Sequence, residues 1–213
     1  MSHHKSAARD SESLNLLSGL IGEPAAKQLW NRYGSLTEIG RQPPRKLQAV
    51  SKTTLRKITQ LLSSFKLAAS LSQEQTLSQR PELNSSKAIA EVFREKFRLS
   101  VSEELHVAVV DQGKRLIDTA KLTPEGVSQP RISKAAVFAP AIEHDGSAII
   151  LAHNYPRSHC SPTEDDINFS RKVCAVGNAL EIPVLDHVIF GQQKAPGKKD
   201  YSSLYDLHLI GPK

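Results

Sequence analysis

The chain has 213 residues, 39% hydrophobic and 23% charged, with a formal net charge of +6. That length suits one or two small domains, each able to bury a core, and no apolar run reaches the roughly 18 residues that a membrane span needs. Cys160 and Cys174 alone make no disulfide framework, and residues 1–9 are polar with no charged-then-apolar leader, so the expectation is a cytoplasmic protein with no membrane partner.

In chain order, residues 1–12 are polar and read as a disordered N-terminus. Residues 13–70 read as four or five short helices in a compact helical module. Leu14, Leu16, Leu17, Leu20 and Ile21 form its first apolar stripe, which ends at Gly22-Glu23-Pro24. A second helix over 25–33 closes at Gly34, and Ser35 caps a short third one before Pro43-Pro44. Leu47, Val50, Leu55, Ile58, Leu61, Leu62 and Phe65 then line one side of a helical pair. The basic excess sits in this half. Residues 1–80 hold 12 Lys and Arg against 5 Asp and Glu, whereas residues 81–213 hold 16 against 17. A basic module beside a near-neutral one fits contact with an anionic polymer such as DNA, and fits a solvated lysine-rich surface equally well.

Residues 71–85 are rich in Ser, Gln and Glu and read as a linker. From there the period changes. Residues 86–97 are amphipathic, with Ile89, Val92, Phe93 and Phe97 at helical spacing. Residues 105–110 form an apolar strand ending in the turn Asp111-Gln112-Gly113, and 116–122 return as its partner. Residues 132–144 read as a helix that Pro140 shortens or kinks. Residues 147–152 form a buried strand running straight into His153. Residues 163–181 form a long helix with Glu164, Asp165 and Asp166 in its first turn, where the helix dipole favours acids. Residues 184–190 form one more strand. Strands alternating with helices predict an α/β (α+β) fold, a sheet flanked by helices.

The chemically dense stretch runs from His153 to Asp166. A histidine leaves a buried strand, a loop bracketed by Pro156 and Pro162 follows, and an acidic helix start closes it. His153, His159 and Asp166 are ligand types that zinc prefers. One such histidine alone reads as a hydrogen-bonded loop residue, and the clustering is what raises the metal reading.

The strings LAHNYP, then Thr163-Glu-Asp-Asp166-Ile, then VLDHVIFG resemble the RadC proteins, a bacterial branch of the JAMM (MPN/JAB) metallopeptidase-like fold. The family's motif is an upstream Glu, then His-x-His, seven residues and Ser-x-x-Asp. Here His153 matches the first ligand His, Asp166 the ligand Asp and Thr163 the Ser, while Tyr155 stands at the second ligand His. Glu103 falls at the upstream Glu, or Glu104 if the register shifts by one. Residues 201–210 resemble the family's closing segment, and 13–70 its helix-hairpin-helix-like module.

The resemblance implies a JAB/MPN, cytidine-deaminase-like sheet over 86–213, and a zinc metallopeptidase cleaving amide or isopeptide bonds of a peptide or protein. Glu103 would move the water's proton, His153 and Asp166 would hold zinc, and the Thr163 hydroxyl would help stabilise the oxyanion. Tyr155 breaks the pattern, because a neutral phenol binds zinc poorly beside an imidazole. His159 is the candidate substitute, and Cys160 a further soft ligand. The hairpin glycines are replaced by Lys52-Thr53-Thr54, leaving Lys52, Arg56 and Lys57 as phosphate contacts. Three expectations stay open: a zinc hydrolase with a degenerate ligand set, a metal-free MPN scaffold, and a DNA-associated accessory protein.

Overall fold

The computed structural model describes residues 2–123, 132–191 and 199–211, with side chains from Asp10 onward. It divides into two compact units, Met1–Ser72 and Gln73–Lys213. The first holds α1 (Ser2–Ile21), α2 (Glu23–Tyr33), α3 (Leu36–Gly40), α4 (Pro44–Ser51) and most of α5 (Leu55–Gln79). Gly22 at φ 94° turns the chain between α1 and α2, and Gly34 at φ 73° ends α2 with its N–H on the Trp30 carbonyl. Ser35 caps α3 by accepting from the Glu38 N–H. Leu17, Ile21, Leu29, Ile39, Leu47, Ile58 and Leu61 form the buried centre, with Trp30 and Tyr33 packed against it.

Three expectations need correction here. Composition predicts disorder over 1–12, yet the backbone is helical from Ser2; no Gly or Pro interrupts the run before Gly19. The apolar stripe of α1 is narrower than the leucines suggest. Leu14, Leu17 and Ile21 keep the 3.6-residue period and turn inward, while Leu16 and Leu20 fall off it and are 63% and 46% exposed. Leu55 is likewise exposed at the start of α5. The expected linker over 71–85 is helical through Gln79, because residues 71–79 contain no helix breaker and several good helix formers.

In the second unit, residues 81–83 lie along the edge of the sheet, with Leu116 N–H on the Pro81 carbonyl and Leu83 N–H on the Lys114 carbonyl. Ser85 then caps α6 (Ser86–Phe97). Strands β1 (Glu104–Val110), β2 (Leu116–Lys121), β3 (Ala148–Tyr155), β4 (Val184–Gly191) and β5 (Tyr201–Ser203) form one sheet in the order β2-β1-β3-β4-β5. Only the β3–β4 pair is parallel, and α8 (Glu164–Ala179) makes its crossover. Asp111 Oδ1 accepts the Gly113 and Arg115 N–H groups at 2.9 Å each, which fixes the β1–β2 turn.

Strand alternation splits the core into two layers. Ala108, Val110, Ile150, Ala152, Val188 and Phe190 face Phe93 and Phe97 of α6. Val107, Val109, Ile149 and Leu151 face Val173 of α8 and Val137 and Phe138 of α7 (Lys134–Glu143). Pro140 lies inside α7, where it removes one N–H donor without ending the helix. Helices on both faces of a mixed sheet make this unit α/β, as the element pattern implies.

Candidate active site

The site forms where β3 ends and α8 begins. His153 and Tyr155, two residues apart on β3, project from the same face, and Asn154 projects from the other. That face is the one α8 covers. Thr163 caps α8 in a reciprocal box: its hydroxyl accepts from the Asp166 N–H at 3.2 Å, and Asp166 Oδ2 accepts from the Thr163 N–H at 2.8 Å. The box aims the Asp166 carboxylate back at the strand end.

Three donors converge on Asp166 Oδ2: the Thr163 N–H, the Thr163 hydroxyl at 2.7 Å and the Tyr155 hydroxyl at 2.7 Å. Oδ1 faces His153 Nδ1 at 3.3 Å, and the His153 and Tyr155 rings lie 4.6 Å apart. Burial alone would raise the Asp166 pKa, but His153 and the Thr163 and Tyr155 bonds outweigh it and hold the carboxyl well below the usual range. The Tyr155 phenol moves the other way. Burial, its bond to Asp166 and the negative charges of Asp166 and Glu103 push it up to about 12, against a lowering from Thr163.

Behind this cluster lies a pair absent from the candidates read from sequence. Ser170, fully buried four residues after Asp166, donates its hydroxyl to the Asp166 carbonyl at 2.6 Å. The same oxygen lies 2.6 Å from His187 Nδ1. Its one proton being spent on Asp166, Ser170 accepts from His187, so the imidazole carries its proton on Nδ1. His187 Nε2 is then a lone-pair acceptor, buried and without a partner among the described residues. Burial pushes this imidazole down to about 3, with His153 acting in the same direction against Asp166. The His153 and His187 rings are nearly parallel at 6.4 Å. Ser170 follows Asp166 at helical spacing, which was the available signal; His187 reads in sequence as one more residue of a buried strand.

The structure brings His153, Tyr155, Thr163 and Asp166 together and leaves the other candidates apart. Glu103 is exposed and acts on Tyr155 through its charge. Glu104 lies on the α6 face, where Oε2 meets His106 Nε2 and Oε1 meets Lys121 Nζ, both at 2.9 Å. Leu105 opposite His153 fixes that register, so Glu103 rather than Glu104 is the acid on the His153 side. His159 is exposed on the loop 156–162, whose backbone packs over Gly191: a Cβ there would sit 2.5 Å from the His159 carbonyl carbon. The Cys160 thiol is engaged by Ser202 Oγ at 3.5 Å and the Lys199 carbonyl at 3.7 Å. In the first unit, Lys52 ends α4 at φ 52°, a backbone that favours glycine, and Arg56 and Lys57 are exposed in the first turn of α5.

Among the described residues no group of three His, Cys, Asp or Glu side chains could hold a metal ion. The donor chemistry agrees. One oxygen of Asp166 is saturated by three donors, and Tyr155 offers a phenol, whose pKa is raised by burial and by Asp166, where the motif has an imidazole. Only His153 and one Asp166 oxygen remain from the motif, and these do not fit the three-ligand zinc centre that it describes.

A mixed five-stranded sheet with helices on both faces is consistent with a JAB-type domain. The RadC-like JAB domain matches residues 83–208, more than half of the chain, and the protein belongs to that family. Similar proteins include a UPF0758 protein of Salinibacter ruber, 25% identical over 91% of this chain and 87% of that one. Another is UPF0758 protein tlr1707 of Thermosynechococcus vestitus, 27% identical over 88% and 74% respectively. A UPF0758 protein of Syntrophotalea carbinolica is 24% identical over 96% and 90%. No helix among the described residues is long and apolar enough to cross a membrane.

Proposed function

We propose that this protein is a RadC-family JAB domain whose metallopeptidase-type centre has become a metal-independent hydrogen-bonded cluster, leaving the domain to act as a binding scaffold. The observation that carries this reading is the Tyr155 hydroxyl on Asp166 Oδ2 at 2.7 Å. The motif places an imidazole at 155 and turns Asp166 towards a cation. Here a neutral phenol takes the ligand position and gives its proton to the same carboxylate. The charge of Asp166 is therefore met by fixed donors, and nothing in the cluster lowers the pKa of a water beside Glu103 from its bulk value of about 15.7.

The test is the zinc content of the protein purified without chelator, beside Tyr155→His. The expected result is sub-stoichiometric zinc in the unaltered protein and close to one zinc per chain in the variant. Stoichiometric zinc in the unaltered protein, lost in His153→Ala, would overturn the reading.

A second reading, a zinc-dependent amide or isopeptide hydrolase with an altered ligand set, draws on His187. Its tautomer is set by Ser170 and its Nε2 is unpartnered among the described residues, the posture of an imidazole ligand. Zinc would have to draw His153, Asp166 and His187 together, because as they stand they do not form a metal-holding group. On that reading His187→Ala strips zinc as His153→Ala does, and Glu103→Gln abolishes hydrolysis of peptide and isopeptide substrates while zinc stays bound. Contact of the basic first unit with DNA is compatible with both readings.

A further inference from the structure

A second concave site lies between α8 and residues 205–211, and none of the His153 cluster lines it. Its volume is about 860 Å³, within the range of small-molecule sites. Arg171, Cys174, Ala175 and Asn178 form one wall at the i, i+3, i+4, i+7 spacing of a single helix face. The other wall is held in place. Leu209 N–H bonds the Leu204 carbonyl at 2.9 Å, and Ile210 packs with Ile189 and Leu204 in the core.

Arg171 is the organising side chain. Its Nε donates to the Leu209 carbonyl at 3.2 Å, tying the guanidinium across the groove. Among the described residues its two terminal nitrogens have no acceptor, and no carboxylate lines the site. A guanidinium held at Nε presents a planar fork that matches the paired oxygens of a carboxylate or phosphate. Asn178, Tyr205 and His208 also line the groove and carry no carboxylate, while Ala175 and Leu209 give apolar contact.

We propose that this groove binds an amphipathic small molecule bearing an oxyanion, its carboxylate or phosphate on Arg171 and its apolar body against Ala175 and Leu209.

The test titrates the full chain with 4-phenylbutyrate, with phenyl phosphate and with uncharged 4-phenylbutyramide, by calorimetry. In parallel, Cys174 modification by a thiol reagent is followed by peptide mapping, which separates it from Cys160. One or both anions should bind saturably and slow Cys174 modification, and whichever binds more tightly identifies the oxyanion. The amide should bind at least about ten-fold more weakly, and Arg171→Gln should weaken the anion by a similar factor. Arg171→Gln should stay folded, unfolding within a few degrees of the unaltered protein since it loses only the bond to Leu209, and Asn178→Ala, at the far end of the same helix face, should also weaken binding. No saturable binding, equal binding of the amide, or binding unchanged in Arg171→Gln would overturn the proposal. So would a doubling of mass that protects Cys174 without any probe, which would assign the groove to a second copy of this chain.

Discussion

At the scale of residues, Asp166 and Glu104 show how differently two acids are held on opposite faces of one sheet. Asp166 Oδ2 has three donors, so loss of one leaves two. Tyr155→Phe should therefore cost only about 1–2 kcal/mol in urea unfolding, and should move the Asp166 pKa up towards the usual carboxylate range. Asp166→Ala should cost more, because it also strips the N-cap box of α8 and leaves the Thr163 and Tyr155 hydroxyls without their acceptor. Equal losses from the two variants would contradict this ordering. Glu104 depends on two neighbours, the Lys121 ammonium and the His106 imidazole, whose own pKa is lowered by burial. Burial opposes its ionisation, but bonds from His106 and Lys121 win and bring it down from 4.5 to about 2. A depressed acid stabilises the fold above its unfolded pKa and loses that contribution as pH falls through the folded value. Glu104→Gln should thus be destabilised relative to the unaltered protein at pH 7, with the gap narrowing between pH 4.5 and pH 2 in urea midpoints. A gap that stays constant with pH would sink the assignment. His153, Thr163 and Asp166 were legible in the sequence because the motif is a spacing. The choice between Glu103 and Glu104 was not, since only the pairing of Leu105 with His153 shows that Glu104 turns to the α6 face and leaves the exposed Glu103 as the acid whose charge reaches Tyr155.

At the scale of elements, two glycines mark where backbone comes too close for a side chain. A Cβ on Gly191 would meet Cys160 N and the His159 carbonyl carbon, so the bare end of β4 is what lets the loop 156–162 fold down beside Tyr155. A Cβ on Gly177 would lie 2.5 Å from the Ile182 carbonyl oxygen and 3.2 Å from the Phe138 ring, where α8 turns into β4. Both contacts include backbone atoms, which yield less readily than a flexible side chain. Gly191→Ala and Gly177→Ala should each cost about 1–3 kcal/mol in thermal unfolding. Gly19→Ala is the control: nothing lies within 4 Å of its Cβ position, and inside α1 alanine should be neutral or slightly stabilising. The elements themselves were readable, because the helical period over 86–97, the short apolar runs over 105–110 and 147–152, and the acidic helix start of 163–181 stand out. The errors fell where periodicity carries no information. Residues 71–79 are polar enough for a linker and also lack anything to stop α5. Leu16 and Leu20 satisfy a count of leucines but not the angle at which Leu17 and Ile21 enter the core.

At the scale of the whole molecule, charge is partitioned between the two units. Met1–Ser72 carries 11 Lys and Arg against 4 Asp and Glu, a balance of +7 in a protein whose total is +6. The hairpin after α4 sets Lys52, Arg56 and Lys57 in exposed positions around the start of α5, while Lys52 itself occupies a left-handed backbone without being glycine. If DNA is the partner of this unit, side-chain charge alone would hold its phosphates, which predicts binding that ignores sequence and falls steeply with salt. Each phosphate neutralised on duplex DNA contributes about −0.9 to the slope of log affinity against log salt, so three lysine and arginine contacts should contribute about −2.7. Measured by fluorescence anisotropy on the full chain, Lys52→Gln, Arg56→Gln and Lys57→Gln combined should flatten the slope by close to that amount. The thermal unfolding of the triple variant should stay near that of the unaltered protein, because all three side chains are exposed. An unchanged slope in a folded triple variant would mean that the positive charge of the first unit is a solvated surface and that DNA is not its partner.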